Sequence, residues 1–219
     1  MSIQRINAGP RMSSAVVHGN TVYLATDAGA INQTAGTISG VTVTARAYNG
    51  SITQSAAARI DATANSSVRS SGDLILAGSN RFGSAIEPVL EWGSGSNLTI
   101  RTAGSFRFRS NGVNIGALTL ISDAGDINQA DTFTATSLVA RAAGSLTFDP
   151  PSGLNQVVTV AELSAGANIT FRESNGFDIA GNITAPGYVS FATPGAITAS
   201  AGQVRTHLLP LTAGGGGSP

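Results

Sequence analysis

The chain has 219 residues, a formal net charge of zero, 11% charged side chains, no cysteine and no lysine. So thinly charged a surface excludes the clustered basic face that nucleic acids need and the polybasic patch that anionic lipid needs. The missing thiols exclude a disulfide framework and thiolate metal sites. There is also no 18-residue apolar run for a membrane-spanning helix.

Taken in chain order, one phrase recurs: alternating residues, a short polar step, a glycine, then an apolar residue. It reads VYLATDAGAI (22–31), VTVTARAYNGSI (41–52), SVRSSGDLIL (67–76), LTIRTAGSF (98–106), LTLISDAGDI (118–127), LVARAAGSL (138–146), AELSAGANI (161–169) and VSFATPGAI (189–197). Its pivots are Gly29, Gly50, Gly72, Gly104, Gly125, Gly144, Gly166 and Gly195, and five of their seven spacings fall between 19 and 22. A fixed period of this size marks stacked repeats rather than a globular domain. Alternation of period two, as in SFRFR (105–109), predicts strands with Phe106 and Phe108 on one face and Arg107 and Arg109 on the other. The stretch 52–67 has passable helix formers, but its flanking Gly50 and Asn65 favour loop and short strand.

A twenty-residue unit is too short for a crossover helix. It can instead wrap once around an axis, the next unit stacking on it in parallel about 4.8 Å away. The pivots are expected where the chain needs φ > 0. Val43, Ile100, Leu120 and Val139 are expected in one continuous hydrophobic column. The match of DAGAINQ (27–33) with DAGDINQ (123–129) puts a turn-forming aspartate first and a laddering asparagine, Asn32 or Asn128, towards the end. Three regions break the pattern. Residues 77–97, with Pro88 and Trp92, read as a loop leaving the stack, and the two long spacings as insertions. Pro150-Pro151 cannot lie in a central strand. Residues 204–219 read as a glycine-rich tail.

The candidate chemistry is sparse. Asp123, Asp126 and Asp131, with Arg101 or Arg141 on neighbouring coils, are the best acid/base set, against a plainer reading as turn and surface charges. Asp27 and Asp123 are too few oxygens for calcium. His18 and His207 are too far apart in the chain to share a site on stacked repeats. No catalytic residue, metal or cofactor is therefore expected. Trp92 is the candidate partner contact, anchoring a sugar or a protein, or else packs its own loop onto the stack.

On phrases such as LTLISDAGDINQ, SLVARAAGSLTF and GANITFRESNGFDIAGNITA, residues 22–203 resemble the β-helical repeats of filamentous haemagglutinin-type adhesins. The resemblance implies a right-handed parallel β-helix, a location outside the cell or on its surface, export by two-partner secretion or as an autotransporter, adhesion to a host-cell or surface glycan or protein receptor, and no catalysis. The opening MSIQRINAGPRMSS carries no secretion signal, so the chain is expected to be a fragment of a longer protein. Residues 3–25, IQRINAGPRMSSAVVHGNTVYLA, resemble the start of the reactive-intermediate (enamine/imine) deaminase Rid family. That family's catalytic arginine strand and helices have no counterpart here, so the activity does not carry over.

The expectation is an all-β fold, a single right-handed β-helix of seven or eight coils, with a β-sandwich or jelly roll as the alternative. The domains are a deaminase-like segment over 1–25 that supplies capping strands, repeats over 26–203, and a tail over 204–219. The function expected is structural or adhesive and non-enzymatic. The alternatives are an inactive deaminase relative and a fusion remnant without a cellular role. Open strand edges at both ends predict end-to-end self-association unless the terminal segments cover them.

Overall fold

Every regular element among the described residues of the computed structural model is a β-strand; those residues are 3–8, 13–18, 20–26, 29–64, 66–82, 89–110, 112–151 and 153–213. Almost all strand pairs are parallel and join one turn of chain to the next, which makes a β-solenoid of about nine turns. The chain forms two compact units, Met1–Ala103 and Gly104–Pro219.

In the first unit each turn lays down short strands on separate faces. The first face stacks Thr21–Thr26, Thr42–Ala47, Ser67–Ser70 and Val89–Glu91. The second stacks Ile31–Gln33, Ile52–Gln54, the start of Leu74–Phe82, and Leu98–Thr102. The third stacks Gly36–Gly40, Ala58–Ala62 and the end of Leu74–Phe82. Alternation decides which side chains go inward: Val43, Ala45 and Ala47 are buried, whereas Thr44 is half-buried and Arg46 exposed. In-register stacking then gives columns of like residues, such as Ile31, Ile52, Leu74 and Leu98. Strands Ile3–Ala8 and Ser13–His18 add an antiparallel pair to the outer edge of Thr21–Thr26. The segment resembling a deaminase thus ends in the first strand of the parallel stack.

The second unit alternates short and long strands. Phe106–Phe108, Ile127–Gln129, Leu146–Phe148, Ile169–Arg172 and the end of Ile183–Thr193 form one face. Ile115–Ser122, Thr134–Ala142 and Gln156–Ala165 form the other, continued by Gly176–Ile179 and the start of Ile183–Thr193. Its core contains the columns Leu118, Leu138, Val160, Ile179 and Leu120, Ala140, Leu163, Ile183, all buried. A third column carries phenylalanine. Phe108, Phe133, Phe148, Phe171 and Phe191 contact edge to face in sequence, with centroids 5.7, 5.8, 6.3 and 6.4 Å apart. That geometry sets a positive ring edge against a negative face and adds about 0.5–1.5 kcal/mol per pair to area burial.

The pivot glycines serve a purpose other than the expected one. Of the eight, only Gly29 has a positive φ, 106°. Six of the others lie against the preceding turn, and Gly104 has nothing within 4 Å of an added carbon. A β-carbon at Gly50 would overlap the Gly29 carbonyl, one at Gly166 the Ala143 carbonyl, and one at Gly72 would sit 2.7 Å from Ser51 Oγ. Stacking at backbone hydrogen-bond distance leaves no room for a methyl group there. The residue after the glycine then clips the turns together. Ser51 Oγ accepts from the Asp73 N–H at 3.0 Å, and Asp73 Oδ1 from the Asn97 N–H at 2.8 Å. In the second unit Ser105 Oγ accepts from the Asp126 N–H at 2.9 Å, and Asp126 Oδ1 from the Ser145 N–H at 2.7 Å.

Four further expectations are corrected. The long spacings are not insertions but conceal pivots: the Gly93 N–H donates to the Gly72 carbonyl at 3.2 Å and the Gly187 N–H to the Ala167 carbonyl at 2.9 Å. Each concealed pivot stands 21 residues past a recognised one, Gly72 or Gly166, and the recovered turns raise seven or eight coils to about nine. Residues 77–82 and 89–91 of that stretch are part of the stack, in strands Leu74–Phe82 and Val89–Glu91; residues 83–88 lie outside the described set. Val204–Leu208 and Leu211–Ala213, read as tail, pair with Ile183–Thr193. The four-residue column does not form. Val43 lies on the first face and Ile100 on the second, while Leu120 stacks on Ala140. Val139 pairs with Thr119 and Glu162 and is half-buried, because period two aims it opposite the fully buried Leu138 and Ala140.

The stacking role of glycine is testable. Gly166→Ala should lower stability by about 1–3 kcal/mol, the cost of overpacking a tight contact. Gly104→Ala, where nothing lies within 4 Å of the added carbon, should change it by less than about 0.5 kcal/mol. Denaturant midpoints measure both, and equal losses would reject the explanation.

Candidate functional site

The side chains first suspected of chemistry are occupied in holding turns together. Asp126 accepts from the next turn through Ser145, whereas Asp131 accepts from the preceding turn, from the Ser110 N–H at 2.8 Å, and pairs with Arg109 at 3.6 Å. Asp123 is exposed beside the same turn as Asp126. Arg141 makes a two-point contact with Glu162 one turn on, at 2.7 and 2.6 Å. That hydrogen bond holds the Glu162 carboxyl below its usual range against partial burial, and raises the Arg141 guanidinium above its own. Arg101 lies on strand Leu98–Thr102 of the first unit. No cluster of three or more His, Asp or Glu side chains able to hold a metal occurs among the described residues. Asp27 and the His18 side chain lie outside the described set, and His207 is exposed. Trp92 is 6% exposed, so it presents almost no surface to a partner.

The repeat signal did not reveal a column of buried polar groups inside each unit. In the first, Gln54 Nε2 donates to Gln33 Oε1 at 2.8 Å and to Asn80 Oδ1 at 2.9 Å, and Asn80 Nδ2 returns a bond to Gln54 Oε1 at 2.7 Å. The Ile60 N–H also reaches Asn80 Oδ1 at 2.7 Å. The ladder expected of Asn32 is made instead by Gln33, the next residue of the phrase. In the second unit Gln129 Nε2 donates to Asn155 Oδ1, and Asn155 Nδ2 to Gln129 Oε1 at 3.1 Å and to the Arg172 carbonyl at 3.0 Å. Above Asn155 lies Glu173, 1% exposed. Its carboxylate accepts the N–H groups of Val157, Asn175 and Gly176 at 3.2, 2.6 and 2.5 Å, and the Thr193 hydroxyl at 3.4 Å. Four donors satisfy a carboxylate. Glu173 borders a cleft of about 270 Å³ with Leu154, Arg172, Pro194 and Thr212, but its oxygens already bind the chain's own loop. The nearby Arg172 pairs with Asp149 at 3.0 Å.

The outward face of the first unit is different. Arg46, Arg69 and Glu91 occupy one register position on successive rungs. Arg69 pairs with Glu91 at 3.2 Å, and its Nε donates to Ser67 Oγ at 3.0 Å. Arg46 instead lies 4.4 Å from the centroid of the Tyr48 ring, and Tyr48 is 48% exposed. These side chains, with Ser70 and Ser71, line a groove of about 120 Å³. A guanidinium stacked on an aromatic face keeps its edge N–H donors free for an oxyanion.

A family model described as Repeats of unknown function (DUF5649) matches residues 19–88, a stretch that includes Arg46, Tyr48 and Arg69. Comparison with curated proteins and with solved structures found no match.

The buried amides set a second expectation. Asn155→Leu removes the partner of Gln129 and of the Phe133 N–H, leaving buried polar groups unsatisfied at about 1–3 kcal/mol each. A loss of at least about 2 kcal/mol in thermal or denaturant unfolding is expected. A loss under about 0.5 kcal/mol would show that the column is dispensable.

Proposed function

We propose that the chain is a structural and adhesive segment of a bacterial surface-exposed filamentous haemagglutinin-like protein, acting as stalk or contact surface, and that it is not an enzyme. The observation that carries this reading is where the polar groups go. Turn residues clip successive turns, and the candidate acids and buried amides bind the chain itself. That leaves the outward faces of the strands as the surface free to meet a partner. Parallel turns that contact only their neighbours can be added without altering the core, which suits a stalk.

Self-association belongs to the same proposal. Among the described residues, Val204–Leu208 and Leu211–Ala213 each pair only with Ile183–Thr193. They expose Leu208 and Leu211 at 62% and 55%. A parallel edge paired on one side among the described residues and flanked by exposed leucine can accept a further strand.

Immobilised protein should retain cells above an uncoated surface, and light scattering should show species heavier than the monomer as concentration rises. A monodisperse monomer at high concentration would remove self-association. Catalysed ammonia release from an amino-acid-derived imine would replace the adhesive reading with a deaminase one.

A further inference from the structure

Most arginines in the described part of the chain already have an acid. Arg59 and Arg81 pair with Asp61, Arg69 with Glu91, Arg109 with Asp131, Arg141 with Glu162, and Arg172 with Asp149. Arg46 departs from this pattern: among the described residues no carboxylate lies within ion-pair distance of it, and its neighbour is the ring of Tyr48. Alternation along Thr42–Ala47 forces Arg46 outward, between buried Ala45 and Ala47, so it cannot turn into the core.

We propose that the groove formed by Arg46, Tyr48, Arg69, Ser71 and Glu91 binds the carboxylate-bearing ring of an acidic sugar, a hexuronate. The inference rests on the contact-surface reading above and gives that surface a partner. Each part of the groove meets one part of such a ring. The planar guanidinium of Arg46 presents paired N–H donors that match a carboxylate at two points, and the ring beneath it limits its motion. The exposed part of Tyr48 offers an apolar surface to the C–H face of a pyranose. The Glu91 carboxylate and the Ser71 hydroxyl supply acceptors for sugar hydroxyls. A groove of about 120 Å³, open on one side, accommodates part of one ring rather than a buried ligand.

The charges also set specificity. Arg69, one rung from Arg46, is neutralised by Glu91. A second acid placed along the stack would therefore meet a carboxylate rather than a free cation. The site reads a single acidic residue flanked by neutral sugars and disfavours a uniformly charged polymer. With a net charge of zero the chain has no general attraction for polyanions, so binding depends on these local contacts.

The test is titration of the full chain by calorimetry with a disaccharide carrying one glucuronate, beside its carboxyl-reduced, neutral counterpart. The acidic disaccharide should bind and the neutral one at least about tenfold more weakly, the loss of one charge-assisted pair. Arg46→Gln and Tyr48→Ala should each weaken binding about tenfold, Tyr48→Phe should retain it, and Arg46→Lys should fall between. Arg205→Gln, an exposed site bonded only to Gln203 among the described residues, should leave affinity unchanged. Thermal melting of each variant reports whether the fold is kept, and Tyr48→Phe with Arg46→Lys keep the test valid if a harsher change unfolds the chain. Equal binding of the two disaccharides, an Arg46→Gln variant of unchanged affinity, or equal affinity for inorganic sulfate would overturn the proposal. Cells retained by the immobilised chain with no binding of the acidic disaccharide would overturn this site alone and leave the adhesive reading standing.

Discussion

Everything in this fold depends on how closely one turn of backbone can approach the turn before it. Parallel strands must lie about 4.8 Å apart to share hydrogen bonds, and at a tight corner that distance admits no side chain. Glycine meets the restriction by having none. At Gly50 and Gly166 an added carbon would overlap the carbonyl of the previous turn. A short oxygen-bearing residue follows, and its side chain accepts the amide of the next turn, as Ser51 and Asp73 do in the first unit and Ser105 and Asp126 in the second. The repeated phrase is thus complementary to itself. A copy placed one turn later finds both the space and the acceptor it needs.

The interiors divide their labour. Apolar columns exclude water, and because the same residue type recurs at the same register each turn packs against a surface like its own. The phenylalanine column packs edge to face throughout, with interplanar angles of 72° to 88° along the series. Beside these columns run the buried amides and Glu173, which bond main-chain groups such as the Ile60 N–H, the Arg172 carbonyl and the Gly176 N–H. A buried polar group so bonded contributes little net stability, but leaving its partner unmet is costly. These residues therefore act chiefly to hold the register of turns against slippage.

This arrangement narrows the chemistry. A β-solenoid can host catalysis where acids and cations from adjacent turns converge in a cleft. Here the acids that the turn phrase brings near one another face opposite neighbours: Asp126 bonds forward to Ser145 and Asp131 backward to Ser110. Glu173, buried beside a cleft, is saturated by its own loop. What remains is the outward row of each strand, where Arg46 stacks on the ring of exposed Tyr48.

The period, the alternation and the absence of helix were legible in the chain itself, because each is a local property: alternation needs only adjacent residues, and the period only repetition. They led to parallel stacked turns, and the structure has them. Legibility failed where a residue's meaning depends on its neighbour one turn away. Gly93 and Gly187 lack the full phrase around them, so their turns went uncounted, and the φ argument chosen for the other pivots addressed conformation when the operative limit was the space left by the turn beneath. Trp92, isolated in sequence, read either as a surface anchor or as packing for its own loop, and the fold decides by burying it. The pairing of Gln54 with Asn80, 26 residues apart, and the grouping of Arg46, Arg69 and Glu91 on successive rungs arise only when register along the axis is set. The sequence by itself determined that turns would stack. The tertiary structure decided which side chains meet, because axial register is settled by the sum of contacts over a whole turn and not by any short stretch of it.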